Sequence, residues 1–447
     1  MSSPAPKLTN THWLIIIIAS IGFLFDTYEL LMTPLTAPPA IAELLGVDMT
    51  HPAVTEWTGK LLWITALCGG IFGLIGGKLT DVLGRKFVMA ASIFVYSFSP
   101  FCAAYSTSLT MFIVFRSLTF IGVCVEFVAA ITWLAEVFED KHQKEKWLGI
   151  TQAFASLGGL LVTAINVWIL ANMKDLPSLG LPAASSWRYL LMTGILPAIP
   201  IALMLPFVPE SKVWKEKKAA GLLKRASIGQ LFAPELRRVT IVTAILSACA
   251  YGLAFGALQL TPLRIAPGLP ELAETSKKMA PLRKQAAELA VAKQKAAAGS
   301  PEFNDAANKL AVVKSDMAPL DKEVKAVGNK VQFYQEMGGL VGRILLAVLI
   351  MVGLSRVALL KVFQVPALIL LPLTYLSLFT SGGSSFMWAY ALCGLVTVAQ
   401  FSYFGEYLPK VFPMHLRGTG GSFATNVGGR MIGTSMAFVT TNLVAPM

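Results

Sequence analysis

Ile75-Gly76-Gly77-Lys78-Leu79-Thr80-Asp81-Val82-Leu83-Gly84-Arg85-Lys86-Phe87 joins two long apolar runs, Thr58 to Ile75 before it and Phe87 to Tyr105 after it. Each run approaches the roughly 20 residues needed to cross a hydrocarbon core about 30 Å thick. Inside lipid the backbone must satisfy its own hydrogen bonds, so runs of this kind form helices. The charged connection between them therefore lies at a membrane surface, with both flanking helices crossing the bilayer.

The pattern repeats outward in both directions. Further apolar spans run from Trp13 to Pro34, Ser108 to Phe138, Trp147 to Asn172 and Trp187 to Val208, then Val239 to Leu263, Met337 to Leu354, Leu359 to Thr380, Phe386 to Tyr403 and Thr419 to Val444. That makes about eleven helices by hydropathy. Only 14% of the 447 residues are charged and 55% are hydrophobic, against about 25% charged in soluble domains. The formal charge of +12 does not point to nucleic acid, because the lysines and arginines gather in alternate short loops. Lys78, Arg85 and Lys86 follow the second span, Lys141, Lys144 and Lys146 the fourth, Lys212 to Arg238 the sixth, Arg356 and Lys361 the eighth, and Lys410 and Arg417 the tenth. This one-sided bias places those loops and the N-terminus in the cytoplasm. The first span lacks a small-residue cleavage site, so it reads as a membrane helix and not a removable signal. A multi-pass protein of the plasma (inner) membrane is expected. The five cysteines sit singly in apolar segments and the four histidines share no ligand spacing, so neither a metal nor another cofactor is expected.

The stretch from Glu271 to Glu336 departs from the pattern: it is charged and rich in Ala, Lys and Leu, with a turn at Ala298 to Pro301. Two helix-forming runs flanking a turn predict a helical hairpin at about 268–336, on the extracytoplasmic side. It is a soluble decoration, or else a lid or partner-binding element. Around it the chain repeats weakly. Gly69-Gly70 and Gly73 precede Gly84-Arg85, as Gly338-Gly339 and Gly342 precede Ser355-Arg356; Ala135-Glu136 precedes Gly149, as Gly405-Glu406 precedes Gly418. The expected division is an N-terminal bundle at 1–208, a basic cytoplasmic linker at 209–237, and a C-terminal bundle at 238–447 carrying the hairpin.

The loop Gly77 to Lys86 resembles the signature of the major facilitator superfamily, G-x-L-x-D-x-x-G-R-K/R. Pro209-Glu210-Ser211 is similar to the P-E-S element of its sugar-porter and metabolite:proton symporter branches. Arg116 and the Gly122 region resemble the fourth-helix arginine motif, with Cys124 where a second glycine is common. The stretch Glu406 to Gly420 is similar to the matching tenth-helix loop. The resemblance implies an all-α integral membrane fold of two pseudo-symmetric six-helix bundles. The chain stops at Met447 at the end of an eleventh span, which reads as truncation before a twelfth, the alternative being a C-terminal half that works without its last support helix. The second-half counterpart of the signature has Arg356 and Lys361 but no matching Asp.

Ionisable groups within spans cost several kcal/mol unless paired or hydrated, so each is a functional candidate. Asp26 and Arg116 each lie eight residues from the outer end of their helix, or roughly 12 Å deep at about 1.5 Å per residue. If both face the bundle interior, an Asp26–Arg116 pair is geometrically possible, serving either proton coupling or the static joining of two helices. Glu29, on the same helix face as Asp26, can share that role. Glu126 lies about 15 Å further in than Arg116; the resemblance makes it a second protonation candidate, the alternative being a structural acid bonded to backbone or serine. The resemblance also implies a cytoplasmic gate built from Gly77, Asp81, Gly84, Arg85, Glu136, Glu406 and Arg417.

Substrate contacts are expected at mid-depth from Gln152, Asn166, Gln259, Gln400, Tyr403 and Asn426, together with Arg343 and Arg430. An amide alone is more often an interhelical bond of about 0.6 kcal/mol, whereas an arginine can clamp a carboxylate bidentately. A secondary transporter for a small polar metabolite, an organic anion before a sugar, is expected, with proton symport by alternating access; the resemblance implies a monomer in the bilayer. A uniporter or antiporter for sugar or drug, and a non-transporting sensor using the hairpin, remain as alternatives. No nucleotide loop, metal cluster or nucleophile elbow marks an enzyme.

Overall fold

A computed structural model describes residues 8–49, 51–138, 140–221, 227–297, 299–440 and 442, without the side chains of residues 141, 142, 145, 263, 264, 405, 406 and 409. Helix α1 (Asn10–Leu45) starts at a reciprocal cap: the Thr9 side chain accepts the His12 N–H while the His12 ring accepts the Thr9 N–H. It ends at Gly46, whose φ of 64° is the left-handed cap that glycine adopts without strain. Helices α2 (Pro52–Leu83), α3 (Arg85–Ala104) and α4 (Leu109–Val137) follow with short connections. Next come α5 (Lys141–Ala153) and α6 (Ala155–Asn172), hinged at Phe154, and α7 (Ser186–Phe207). A short surface helix, α8 (Lys212–Ala219), precedes α9 (Arg237–Leu260). The second part of the chain continues with α10 (Ala273–Lys295), α11 (Pro301–Met351), α12 (Arg356–Ser381), α13 (Gly383–Val411) and α14 (Arg417–Ser422).

Ten helices among the described residues are long and apolar enough to cross a membrane, so this is a multi-pass integral membrane protein. Large apolar side chains such as Leu203, Phe207, Leu368 and Leu376 point outward, as a lipid-facing surface requires. The eleventh expected span does not qualify as one regular helix. After α14 the backbone is π-wound over Phe423–Gly433, and a short turn of helix, Met436–Val439, follows. This segment is rich in glycine and buries Thr425, Asn426 and Arg430; a Cβ at Gly433 would lie 2.5 Å from the Tyr251 Cβ. Close packing on α9 governs its path, and such π segments recur at functional sites.

The apolar cores separate along the chain. The two cores of the first part draw only on residues up to Val208, and the two larger cores of the second part only on residues from Leu231 onward. Where the halves meet, α2 presents Gly69, Gly70, Gly73, Gly76 and Gly77, all buried. A Cβ at Gly73 would come within 2.9 Å of both Cys124 and Asn426. Small residues let α2 sit tightly between α4 and the π-wound segment.

The hairpin is present but its second arm is not a separate helix. α11 runs unbroken for 51 residues, roughly 76 Å at 1.5 Å per residue, so the outer arm and the following membrane span are one rod. The cause lies in the sequence: Leu310, Val313, Met317, Val324, Gly328, Val331, Gln335, Gly338 and Gly342 are all buried, three or four residues apart except for one seven-residue step from Met317 to Val324. That one stripe first faces α10 and then α13, so nothing breaks the helix at the membrane surface. In the outer part, Ala286 and Ala290 of α10 pack on Leu310, Val313 and Met317.

Candidate functional site

Where α2 ends and Arg85 opens α3, a buried network joins the two halves. Gly84 has φ 106°, a conformation that favours glycine, and a Cβ there would run into the Glu210 carboxylate. This tight turn frees the N–H groups of Arg85 and Lys86, which donate to Glu210 at 3.0 Å each. The Arg85 guanidinium reaches Glu136 at 3.0 Å and lies 3.6 Å from Asp81. Glu136 also accepts from Ser211 Oγ at 2.7 Å and from Arg417 at 3.3 Å. Asp81 accepts the Gly418 N–H at 3.0 Å, the Thr419 N–H at 2.8 Å and the Thr419 hydroxyl at 2.9 Å. Gly77 permits this approach, since its Cβ would lie 2.7 Å from the Gly418 carbonyl oxygen.

Deeper in the membrane, α1 carries two buried acids facing different partners. Glu29 accepts from Arg116 Nη1 at 3.3 Å, and the other Arg116 amine donates to the Glu29 carbonyl oxygen at 3.1 Å and to Thr33 Oγ1. Asp26 faces the other half: its Oδ2 lies 3.9 Å from Arg430. Beside it stands the Glu126 carboxyl, seated over Gly22 one turn earlier on α1. Neither carboxyl receives a hydrogen bond from a donor among the described residues. Arg430 is held by the Val123 carbonyl at 2.9 Å and lies over the Phe127 ring at 5.1 Å.

Asp26 and Arg430 line a cavity between the halves, with about 830 Å³ of atom-free space counted to its opening. Phe23, Phe127, Tyr251, Phe255 and Phe401 give it aromatic walls, and Gln152, Gln259, Gln335, Glu336 and Arg343 bring polar groups. Arg343 spans the gap by donating from Nη1 to the Gln152 carbonyl oxygen at 2.5 Å. Arg343 Nε and Gln152 Nε2 are buried donors with no acceptor among the described residues.

The sequence profile of the Major Facilitator Superfamily matches residues 11–280, more than half of the chain. The chain belongs to the Major Facilitator Superfamily. Its fold is similar to that of the proton:xylose symporter XylE bound to 6-bromo-6-deoxy-D-glucose, with a TM-score of 0.64 at 16% identity over 98% of this chain and 88% of that one. It is also similar to the Escherichia coli fucose:proton symporter FucP, with a TM-score of 0.56 at 14% identity over 98% and 99%. Identities this low show the shared superfamily fold alone. Among curated relatives, the niacin transporter NiaP of Acinetobacter baylyi is 24% identical over 205 residues, covering 45% of this chain and 41% of that protein. The 4-hydroxybenzoate transporter PcaK of the same species is 29% identical over 232 residues, covering 51% and 46%. The chain thus spans about half the length of the curated relatives it matches.

On this superfamily scaffold the Asp26–Arg116 pair is corrected. Glu29, three residues on, takes Arg116, and Asp26 turns to Arg430 across the halves. Depth along a helix was the right guide to level, but three residues of rotation decide which side chain meets the arginine. Among the described residues, Glu126 takes no bond from backbone or serine. Gln152, Gln259, Arg343 and Arg430 line the cavity. Asn166, Gln400, Tyr403 and Asn426 do not. Asn166 lies half-exposed on α6, and Gln400 bonds the Val396 carbonyl of its own helix. Tyr403 packs in the core of the second half, and Asn426 donates to the Cys124 carbonyl at 3.0 Å. Asp81, Arg85, Glu136 and Arg417 come together as expected, whereas the Glu406 side chain lies outside the described residues. Sequence reasoning missed Glu336, which lines the cavity seven residues before Arg343 on the same helix face, and the roles of Glu210 and Thr419.

Proposed function

We propose that the chain is a proton-coupled symporter for a small aromatic carboxylate. The observation that carries this reading is the pair of orphan donors, Arg343 Nε and Gln152 Nε2, in an aromatic-walled cavity between the halves. A buried donor without an acceptor is costly, and a carboxylate supplies the missing acceptor with charge assistance. The aromatic walls suit a flat apolar ring, which prefers edge-to-face or offset contacts. The names of the relatives, transporters of niacin and of 4-hydroxybenzoate, describe substrates of that chemistry.

The proton belongs on the Asp26–Glu126 pair. Two ionised carboxylates side by side repel strongly in a dry interior, whereas one proton between them turns the contact into a hydrogen bond. Arg430 contributes the opposite charge from the other half, so separating the halves changes what the pair faces and hence its proton occupancy. Glu29 is held by Arg116 within its own half and keeps its partner through such a movement. The basic face is the cytoplasmic one by the loop-charge bias, and the Asp81–Arg85–Glu136–Arg417 network is its gate. The bundles 1–208 and 238–447 move as bodies about the 209–237 linker.

Uptake of labelled benzoate into liposomes tests the substrate class. Arg343→Gln is expected to raise KM at least tenfold, about 1.4 kcal/mol of lost binding, while Arg343→Lys recovers part of it. Competition by xylose or glucose but not by other carboxylates, with uptake indifferent to Arg343→Gln, would replace the carboxylate reading with a sugar reading.

A further inference from the structure

The connection between α1 and α2, at the opposite end of α2 from Arg85, carries Asp48. Two lysines of the hairpin converge on its carboxylate: Lys293 of α10 lies 3.5 Å away, and Lys314 of α11 donates to the other oxygen. This is the one place outside the membrane-spanning bundle where, among the described residues, ion pairs tie the hairpin to the first half. Burial pushes the Asp48 carboxyl up, but the bonds and charges of Lys314 and Lys293 outweigh it and hold the group below its ordinary value.

A groove opens beside this contact, lined by Met49, Lys314, Lys322, Lys325 and Asn329, with about 1,230 Å³ of atom-free space counted to solvent. Its acid, Asp321, lies 3.6 Å from Arg283 and is offset by that charge. The groove is therefore cationic, and Lys314 belongs both to it and to the Asp48 contact. Lys314 also sits on the same unbroken helix as Arg343, 29 residues or roughly 44 Å away. Lys314 thus belongs to a rod that reaches the cavity.

We propose that Lys293 and Lys314 form a carboxylate-binding site which Asp48 occupies as a latch between the halves, and from which an organic carboxylate arriving in the groove displaces it. The site already holds one carboxylate in this structure, so its chemistry is that of the substrate class under "Proposed function", on which the ligand half of the proposal rests. The lysine-lined groove raises the local concentration of anions, and their competition for Lys314 releases the latch and frees α11.

The test is lysine footprinting of the full-length protein in nanodiscs, using a limiting acetylating reagent and mass spectrometry. Lys309, paired with Asp305 on the same helix, serves as the internal reference. Asp48→Asn is expected to raise the reactivity of Lys293 and Lys314 relative to Lys309 by about threefold, the scale a partly exposed pair carries. In that variant benzoate should restore protection of Lys314, whereas the neutral benzamide should not. No rise in Asp48→Asn overturns the latch. A rise that benzoate fails to reverse, or that benzamide reverses equally, overturns the carboxylate site. The footprint needs no transport, so a chain that moved only sugars would lose the proposed substrate while the Asp48→Asn rise still reported the latch.

Discussion

Asparagine at position 81 tests whether the basic-face network holds the halves together. Oδ1 of Asp81 accepts the Gly418 N–H, and Oδ2 accepts both Thr419 donors. Every one of these bonds crosses between the halves, so all are broken when the halves part. In Asp81→Asn one oxygen remains for Gly418, but an amide nitrogen now faces the Thr419 donors. The threonine hydroxyl can turn and accept; its backbone N–H cannot. Hydrogen bonds to charged groups contribute about 1.5–3 kcal/mol each, so losing one outright and the charge from the others costs the closed form about 3 kcal/mol. At about 1.4 kcal/mol per tenfold, the open population rises on the order of 100-fold. Thr132 is a suitable reporter, being buried beside Arg417, Gly421 and Thr425 in a small void above the network. A cysteine placed there, with the five native cysteines replaced, is labelled by a membrane-impermeant maleimide applied from the basic face. Labelling should accelerate about 100-fold in Asp81→Asn. A rate unchanged within about twofold, in protein that still melts cooperatively, would refute the reasoning, because bonds worth that much cannot be lost without moving the equilibrium.

Three further outcomes follow from the packing. Glu43 accepts from Trp187 Nε1 at 2.8 Å and from Arg188 at 2.8 and 3.1 Å, and also from Ser185. Glu43→Ala leaves the buried Arg188 charge without its carboxylate and should lower stability by about 3 kcal/mol, read as a fall in melting temperature in detergent; an unchanged melt contradicts this. Gly158→Ala pushes a methyl group onto the Leu24 carbonyl oxygen and to 2.8 Å from the Tyr28 nitrogen. Backbone cannot yield as a side chain does, so α1 and α6 should separate at a cost of about 1–3 kcal/mol, again visible by thermal melting. For Asp48, the folded value lies below the ordinary 3.8 because its two lysines outweigh burial. The contact is then complete above about pH 4 and is lost only as pH falls through the depressed value. A spin-pair distance from the hairpin tip to α2 should stay constant between about pH 8 and about pH 5 and lengthen only below about pH 4, so a transition near neutrality counts against Asp48 as the latch.

What was legible in the sequence was local. The turn at Gly84, the charged loops and the apolar spans each depend on neighbours within one or two helical turns, so residue type alone placed them. The superfamily and its all-helical membrane fold followed from the Gly77 to Lys86 loop. Depth was legible too, which brought Arg116 to within one turn of its partner. Rotation about the helix axis was not. Whether Asp26 or Glu29 faces Arg116 depends on how α1 seats against α4, and that is fixed by contacts such as Gly158 on Leu24 that no periodicity reveals. Arg430 stood out as an arginine in apolar surroundings, but its partner lies more than 400 positions away on another helix. Glu336 was overlooked because the change from charged to apolar composition at that point suggested a boundary. The heptad-like stripe from Leu310 to Gly342 was present in the sequence and marks the continuous rod; it was masked by the surrounding lysines. Gln400 and Tyr403 show the opposite failure, since a polar group at mid-depth bonds its own helix or packs in a core as readily as it lines a cavity.

The central claim is that the Asp26–Glu126 pair carries the proton that accompanies a carboxylate. It is tested most directly in liposomes loaded with a pH-sensitive dye, with benzoate added outside and wild type compared with Asp26→Asn. Benzoate should acidify the lumen through the wild-type protein, and Asp26→Asn should abolish that signal while labelled benzoate still exchanges across the membrane. Equal acidification through both proteins, or benzoate uptake through the wild type with the lumen pH flat, would contradict the account.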